Sequence, residues 1–142
     1  MLLNPDESLC ENRAKIIVSK DKYTNRKHIS NNLKGNNVRQ YQLDGIIIKN
    51  EKSCDYLVLN DDSKKAFFIE LKGSNVSEAI PQFEGAIKKL SSELLNYSFK
   101  FRIISSKCKT HEIAGSKITT FKKKYGKGAL IIKTQEYKEN IE

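Results

Sequence analysis

Apolar and polar positions along this chain fall into blocks with two different periods. The segment 38–49 closes on Ile46-Ile47-Ile48, and its apolar density predicts a strand in the interior of a sheet. The polar residues 50–53 then predict a turn, and a second strand follows from Cys54 to Leu59. Asn60-Asp61-Asp62-Ser63 carries tight-turn residues, and Ala66 to Lys72 forms a third strand. Short polar turns between the three give an antiparallel meander. After Gly73 the period changes. Val76, Ala79, Ile80, Phe83, Ala86, Ile87, Leu90 and Leu94 recur three or four apart, the stripe of an amphipathic helix. Asn75 and Glu78 have capping-box spacing, and Pro81 places the regular helix late or kinks it.

Tyr97 to Ser105 alternates as a fourth strand, with Tyr97, Phe99, Phe101 and Ile103 on one face. A second helix is expected over 119–124 and a late strand over 129–133. The first forty residues are harder to assign: 14–18 reads as a short strand or as the end of a helix begun near Asp6. Residues 24–34 are polar, Gly35-Asn36-Asn37 is a turn, and the C-terminal residues read as a polar tail.

The chain of 142 residues fits one domain with a real core. No apolar run approaches the ~20 residues of a transmembrane helix, and no leader pattern is present, so a cytoplasmic protein without membrane contact is expected. Cys10, Cys54 and Cys108 with His28 and His111 lack zinc or disulfide spacing and read as reduced thiols and ordinary histidines. The net charge is +9. Residues 99–133 hold ten basic side chains against the single acid Glu112, an excess equal to that of the whole chain. This one-sided field favours a polyanionic partner, most simply DNA, with RNA an open alternative; Lys122, Lys123, Lys124 and Lys127 are the expected phosphate contacts.

The chemistry converges on three charges in the apolar strands. Glu70 and Lys72 project from the same face of the third strand, and Asp55 opens the second. Two carboxylates across a ladder repel unless a cation lies between them, and hard oxygen ligands favour magnesium or manganese. The plain alternative is a cross-strand ion pair on a solvated face, worth ~0.2–1 kcal/mol. Glu136-Tyr137-Lys138 repeats the Glu-x-Lys spacing, but without an apolar run before it or a helix after it.

An Asp strand, a Glu-x-Lys strand fifteen residues on, and a following helix resemble the PD-(D/E)XK nuclease superfamily over about 38–105. Residues 1–142 are then a single nuclease-like domain, this core carrying a basic C-terminal part over about 99–133. The resemblance implies an α/β restriction-endonuclease-like core: a mixed four- to five-stranded sheet begun by the meander and flanked by helices. It implies Asp55, Glu70 and Lys72 as catalytic residues, with Gln82 where RecB-like members carry a glutamine. The metal ligands would be Asp55 and Glu70, with Asp44 or Glu11 (Glu7 more remotely) as a further acid. The implied activity is Mg²⁺- or Mn²⁺-dependent hydrolysis of DNA, directed by structure or ends, in a family where homodimers are common. The competing expectation is a catalytically silent nucleic-acid-binding or adaptor subunit of the same fold. Cys54 stands where the family's proline would be.

Overall fold

The computed structural model describes residues 1–107 and 110–142, so Cys108 and Lys109 lie outside the described residues. Among the described residues, eight strands and three α-helices follow in the order β1 (Ile16–Lys20), β2 (Lys27–Asn31), β3 (Val38–Gln42), β4 (Tyr56–Asn60), β5 (Lys65–Lys72), α1 (Ala79–Leu90), β6 (Ser98–Ser105), α2 (Thr110–Ile113), α3 (Ser116–Tyr125), β7 (Leu130–Thr134) and β8 (Glu136–Asn140). The fold is α/β. A five-stranded sheet runs β3-β4-β5-β6-β7, and a three-stranded sheet runs β1-β2-β8. The larger sheet is mixed: β3, β4 and β5 form the antiparallel meander, whereas β6 and β7 join β5 in parallel. A parallel neighbour needs a crossover, and α1 supplies it between β5 and β6.

Strand alternation divides the core in two. Ala66 and Phe68 of β5 point to the face covered by Phe83 and Ala86 of α1 and by Ile118 and Phe121 of α3. Phe67, Ile69 and Leu71 point to the opposite face, where Ile17, Ile141 and Tyr137 pack. The small sheet therefore covers one face of the large sheet and the helices cover the other. Burial of β5 on both faces explains its continuous apolar run.

Four expectations need correction. The strand expected to continue to Lys49 ends at Gln42, and β3 lies at the sheet edge. Asp44-Gly45 turns the chain back, with Gly45 at φ 77° and the Ile48 N–H donating to the Leu43 carbonyl at 2.9 Å. The isoleucine triplet thus serves a turn: Ile48 enters the core, while Ile46 stays exposed. Asn75 is left-handed, at φ 55°, and makes no side-chain cap. The Val76 N–H is capped instead by Glu112 of α2 at 2.9 Å, which frees Glu78.

Around the N-terminus, only a 3₁₀ turn forms over Pro5–Glu7, and residues 16–20 and 27–31 pair as an antiparallel hairpin. The expected polar tail is β8, parallel to β2. These strands look polar because their inner face carries a buried ionic network. Glu139 accepts from His28 Nε2 at 2.6 Å and from the buried Arg102 at 2.7 and 2.9 Å. The second Glu-x-Lys is consequently one strand of a structural sheet, with Glu136 and Lys138 on its solvent side.

Candidate active site

Tyr56 pairs with Ile69, so the next rung of the ladder sets Asp55 opposite Glu70. Both carboxyls lie on the helix-covered side with Lys72, while Leu71 faces the small sheet. The acids are tied to each other's strand. The Asp55 N–H donates to Glu70 Oε1 at 3.1 Å, and the Leu71 N–H donates to Asp55 Oδ2 at 2.9 Å. Among the described residues, Asp55 Oδ1 and Glu70 Oε2 accept no backbone hydrogen bond.

Glu70 is only 3% exposed, which rules out the solvated ion pair. Burial, then the neighbouring Asp55 carboxylate, push Glu70 up to about 9; Lys72 opposes the rise. Burial also raises Asp55, against its bond from the Leu71 N–H, and Asp44 and Asp21 add to the rise. The two carboxyls share a hydrogen bond, so at neutral pH without a cation Glu70 keeps its proton and its O–H donates to the Asp55 carboxylate. Lys72 Nζ donates to Gln82 Oε1 of α1 at 3.4 Å and lies 3.6 Å from Glu78.

The further acids differ in placement. Asp44, exposed on the turn after β3, lines a hollow of 480 Å³ with Lys52, Ser53 and Gln82. Glu11 adjoins Asn12, whose side chain holds Asn37 and the Val38 N–H at the far end of β3. That is roughly 13 Å along the strand from the Asp55 end, so Glu11 does not reach the carboxyl pair. Glu7, in the Pro5–Glu7 turn, is exposed. Asp21, which sequence reasoning missed, comes close to Asp55 from the β1–β2 loop. Among the described residues no three His, Cys, Asp or Glu side chains converge as a metal cage. The donor set still suits a small hard cation, which the Asp55 and Glu70 carboxylates would hold in place of the shared proton.

Residues Lys122, Lys123, Lys124 and Lys127 are not brought to the carboxyls. They end α3 and precede β7, whose first residue is level with Phe101 and Phe68, below Glu70 in the sheet. Lys124 lines a groove between α1 and α3 with Lys117, Glu84 and Pro81; the other three line a separate hollow with Gly126 and Leu130. Arg102, counted in the basic excess, is buried against Glu139 and unavailable to a polyanion. Lys20 and Lys22 share a cavity with Asp55 instead, which their distance from it in sequence does not show, and Lys52, three residues before Asp55, lines the hollow with Asp44 and Gln82.

Two other constellations are closed to substrate. Ser30, His28 and Glu139 are linked by hydrogen bonds, but Ser30 and His28 are both 0% exposed. Cys54 is fully buried, and burial with the Glu70 and Asp55 charges raises its thiol well above the usual range, so it stays protonated. A close contact missed in sequence fixes the approach to Asp55. In α1, a Cβ added to Gly85 would meet the Lys52 carbonyl oxygen at 2.1 Å, so glycine there lets the segment before Asp55 lie against the helix.

Fold and site together define an α/β protein whose mixed sheet presents a carboxyl–carboxyl–lysine group at one end. No protein-family model matches the chain, and no curated protein or solved structure is significantly similar to it.

Proposed function

We propose that this protein is a metal-dependent nuclease of the PD-(D/E)XK type, hydrolysing phosphodiester bonds in DNA. One observation carries the reading: Asp55 and Glu70 face each other in a buried pair at the end of the central strands, with Lys72 on the same face. Asp55 and Glu70 would hold Mg²⁺ or Mn²⁺, and the Asp44 carboxylate adds negative charge that Asp55 feels. When bound, such an ion polarises a phosphoryl oxygen and lowers the pKa of a water. The ammonium of Lys72, steadied by Gln82 and Glu78, orients the attacking water and offsets charge gathering on the phosphoryl oxygens. The water oxygen bonds to phosphorus as the bond to the leaving sugar oxygen breaks. Lys20, Lys22 and Lys52 bind neighbouring phosphates, so association weakens steeply with salt. A cytoplasmic setting is part of the proposal.

The test is incubation of the pure protein with supercoiled, linear and branched DNA, and with RNA, in Mg²⁺ or Mn²⁺, beside Glu70→Ala and Lys72→Ala. Wild type is expected to cut DNA and both variants to lose cutting. If all three bind DNA and leave every substrate equally intact, the protein is a silent binding subunit.

A further inference from the structure

The loop between β1 and β2 stands over the Asp55 end of the sheet and is braced there. Asp21 accepts from the Tyr23 N–H at 3.1 Å and from Arg26 at 2.6 Å, while its own N–H donates to the Arg26 carbonyl at 2.9 Å. The guanidinium of Arg26 also donates to Ser106 and lies against Gly73, the residue after Lys72. From the other side, the Tyr56 hydroxyl donates to the Lys20 carbonyl at 2.9 Å. These bonds cross from the small sheet to β4 and to the ends of β5 and β6, so the loop's position over the site is fixed by the fold.

Such bracing holds an aromatic ring in solvent. Tyr23 is 85% exposed, and the contact its ring makes is with the Lys22 ammonium, 5.6 Å from the ring centre. The cavity beneath, 540 Å³, is lined by Lys20, Lys22, Tyr23, Gln42, Asp55 and Leu71 among others. The hollow holding Asp44, Lys52 and Gln82 opens on the helix side of the same sheet end. Asp21 also lines this cavity, its carboxylate paired with Arg26, so an ordered loop with an exposed aromatic ring and two ammonium groups beside Asp55 matches a nucleotide, whose base is a flat apolar face and whose phosphates are anions.

We propose that the β1–β2 loop is a stacking platform for an unpaired nucleotide of the DNA strand being cut, with the Tyr23 ring on the base and Lys20 and Lys22 on flanking phosphates. The proposal rests on the nuclease reading and adds a substrate class: DNA with a single-stranded segment beside the cut bond, as in a flap, a gap or a frayed end. Within a duplex each base is covered by its neighbours, and Tyr23 has no face to stack on.

Fluorescence anisotropy in EDTA separates binding from chemistry, using labelled single-stranded DNA, the same strand in a blunt duplex, and RNA of the same sequence. Tyr23→Ala is expected to weaken single-stranded DNA binding roughly tenfold, Tyr23→Phe to restore it, and duplex affinity to stay within about twofold. Because Tyr23 is exposed, neither variant threatens the fold. Wild-type affinity in Tyr23→Ala, an equal loss on duplex, or a loss confined to RNA overturns the proposal. Parallel cleavage assays in Mg²⁺ separate the two readings. Selective loss of single-strand binding from a wild type that cuts nothing supports the platform and sinks the nuclease. Glu70-dependent cutting with unchanged Tyr23→Ala binding sinks the platform alone.

Discussion

Replacing Glu70 by glutamine is expected to make the metal-free protein more stable while abolishing its chemistry. The unfolded chain loses the Glu70 proton near 4.5, whereas the folded protein keeps it up to about 9. A raised folded pKa means that its stabilising contribution is complete below 4.5 and is lost as pH rises through 9. The loss is about 1.4 kcal/mol per pH unit, so between 4.5 and pH 7 the wild type forgoes on the order of 3 kcal/mol. The charged groups acting on Glu70 set this balance: Asp55, just before β4, raises it and Lys72 from its own strand lowers it, while Asp44 and Asp21 act through Asp55. Asp21 and Glu139 are held below the ordinary carboxylate range, against the pull of burial, by hydrogen bonds from Tyr23 and Arg26 and from His28 and Arg102. They therefore titrate outside the window from pH 5 to 9. A glutamine amide keeps the acceptor for the Asp55 N–H, donates to the Asp55 carboxylate and cannot ionise. Urea denaturation in EDTA at pH 5, 7 and 8 measures the effect. The variant is expected to match wild type near pH 5 and to exceed it by about 3 kcal/mol at pH 7, roughly 10 °C in melting temperature. Parallel stability profiles would refute the shared proton.

Glu139→Ala leaves the buried guanidinium of Arg102 and the ring of His28 without their carboxylate, and urea denaturation should show a loss of about 3–5 kcal/mol. Gly85→Ala would ordinarily stabilise a helix by about 0.5–1 kcal/mol, yet here the new methyl meets the Lys52 carbonyl. A destabilisation of about 1–3 kcal/mol is expected, with cleavage reduced because the segment before Asp55 is displaced. A more stable, fully active Gly85→Ala protein would contradict that contact.

The meander, α1 and Asp55 facing Glu70 were legible because they rest on local signals: continuous apolar runs, turn residues, the helical stripe and strand alternation. Ile46-Ile47-Ile48 misled because its apolar density resembles a strand, while Asp44-Gly45 just before it bends the chain. β1 was legible as one of two readings of 14–18, whereas β2 and β8 were invisible as strands because His28 and Ser30 on one and Glu139 on the other satisfy one another only once these distant segments meet. At the site, Asp21 and Tyr23 reach the cavity of Asp55 because Tyr56 and Ser106, 36 and 80 positions from their partners Lys20 and Arg26, anchor the loop. The lysine run 122–124 drew attention as a sequence cluster, yet its place in the sheet lies away from the carboxyl pair.

Whether Asp55 and Glu70 exchange their shared proton for a divalent cation is decided most directly by calorimetric titration of Mn²⁺ at pH 7 in two buffers of different ionisation enthalpy. Because Glu70 holds its proton up to about 9, binding should release close to one proton per ion in the wild type, and Glu70→Gln should abolish both binding and release. Mn²⁺ binding without proton release, binding undiminished in Glu70→Gln, or no binding at all would contradict a metal site at this pair.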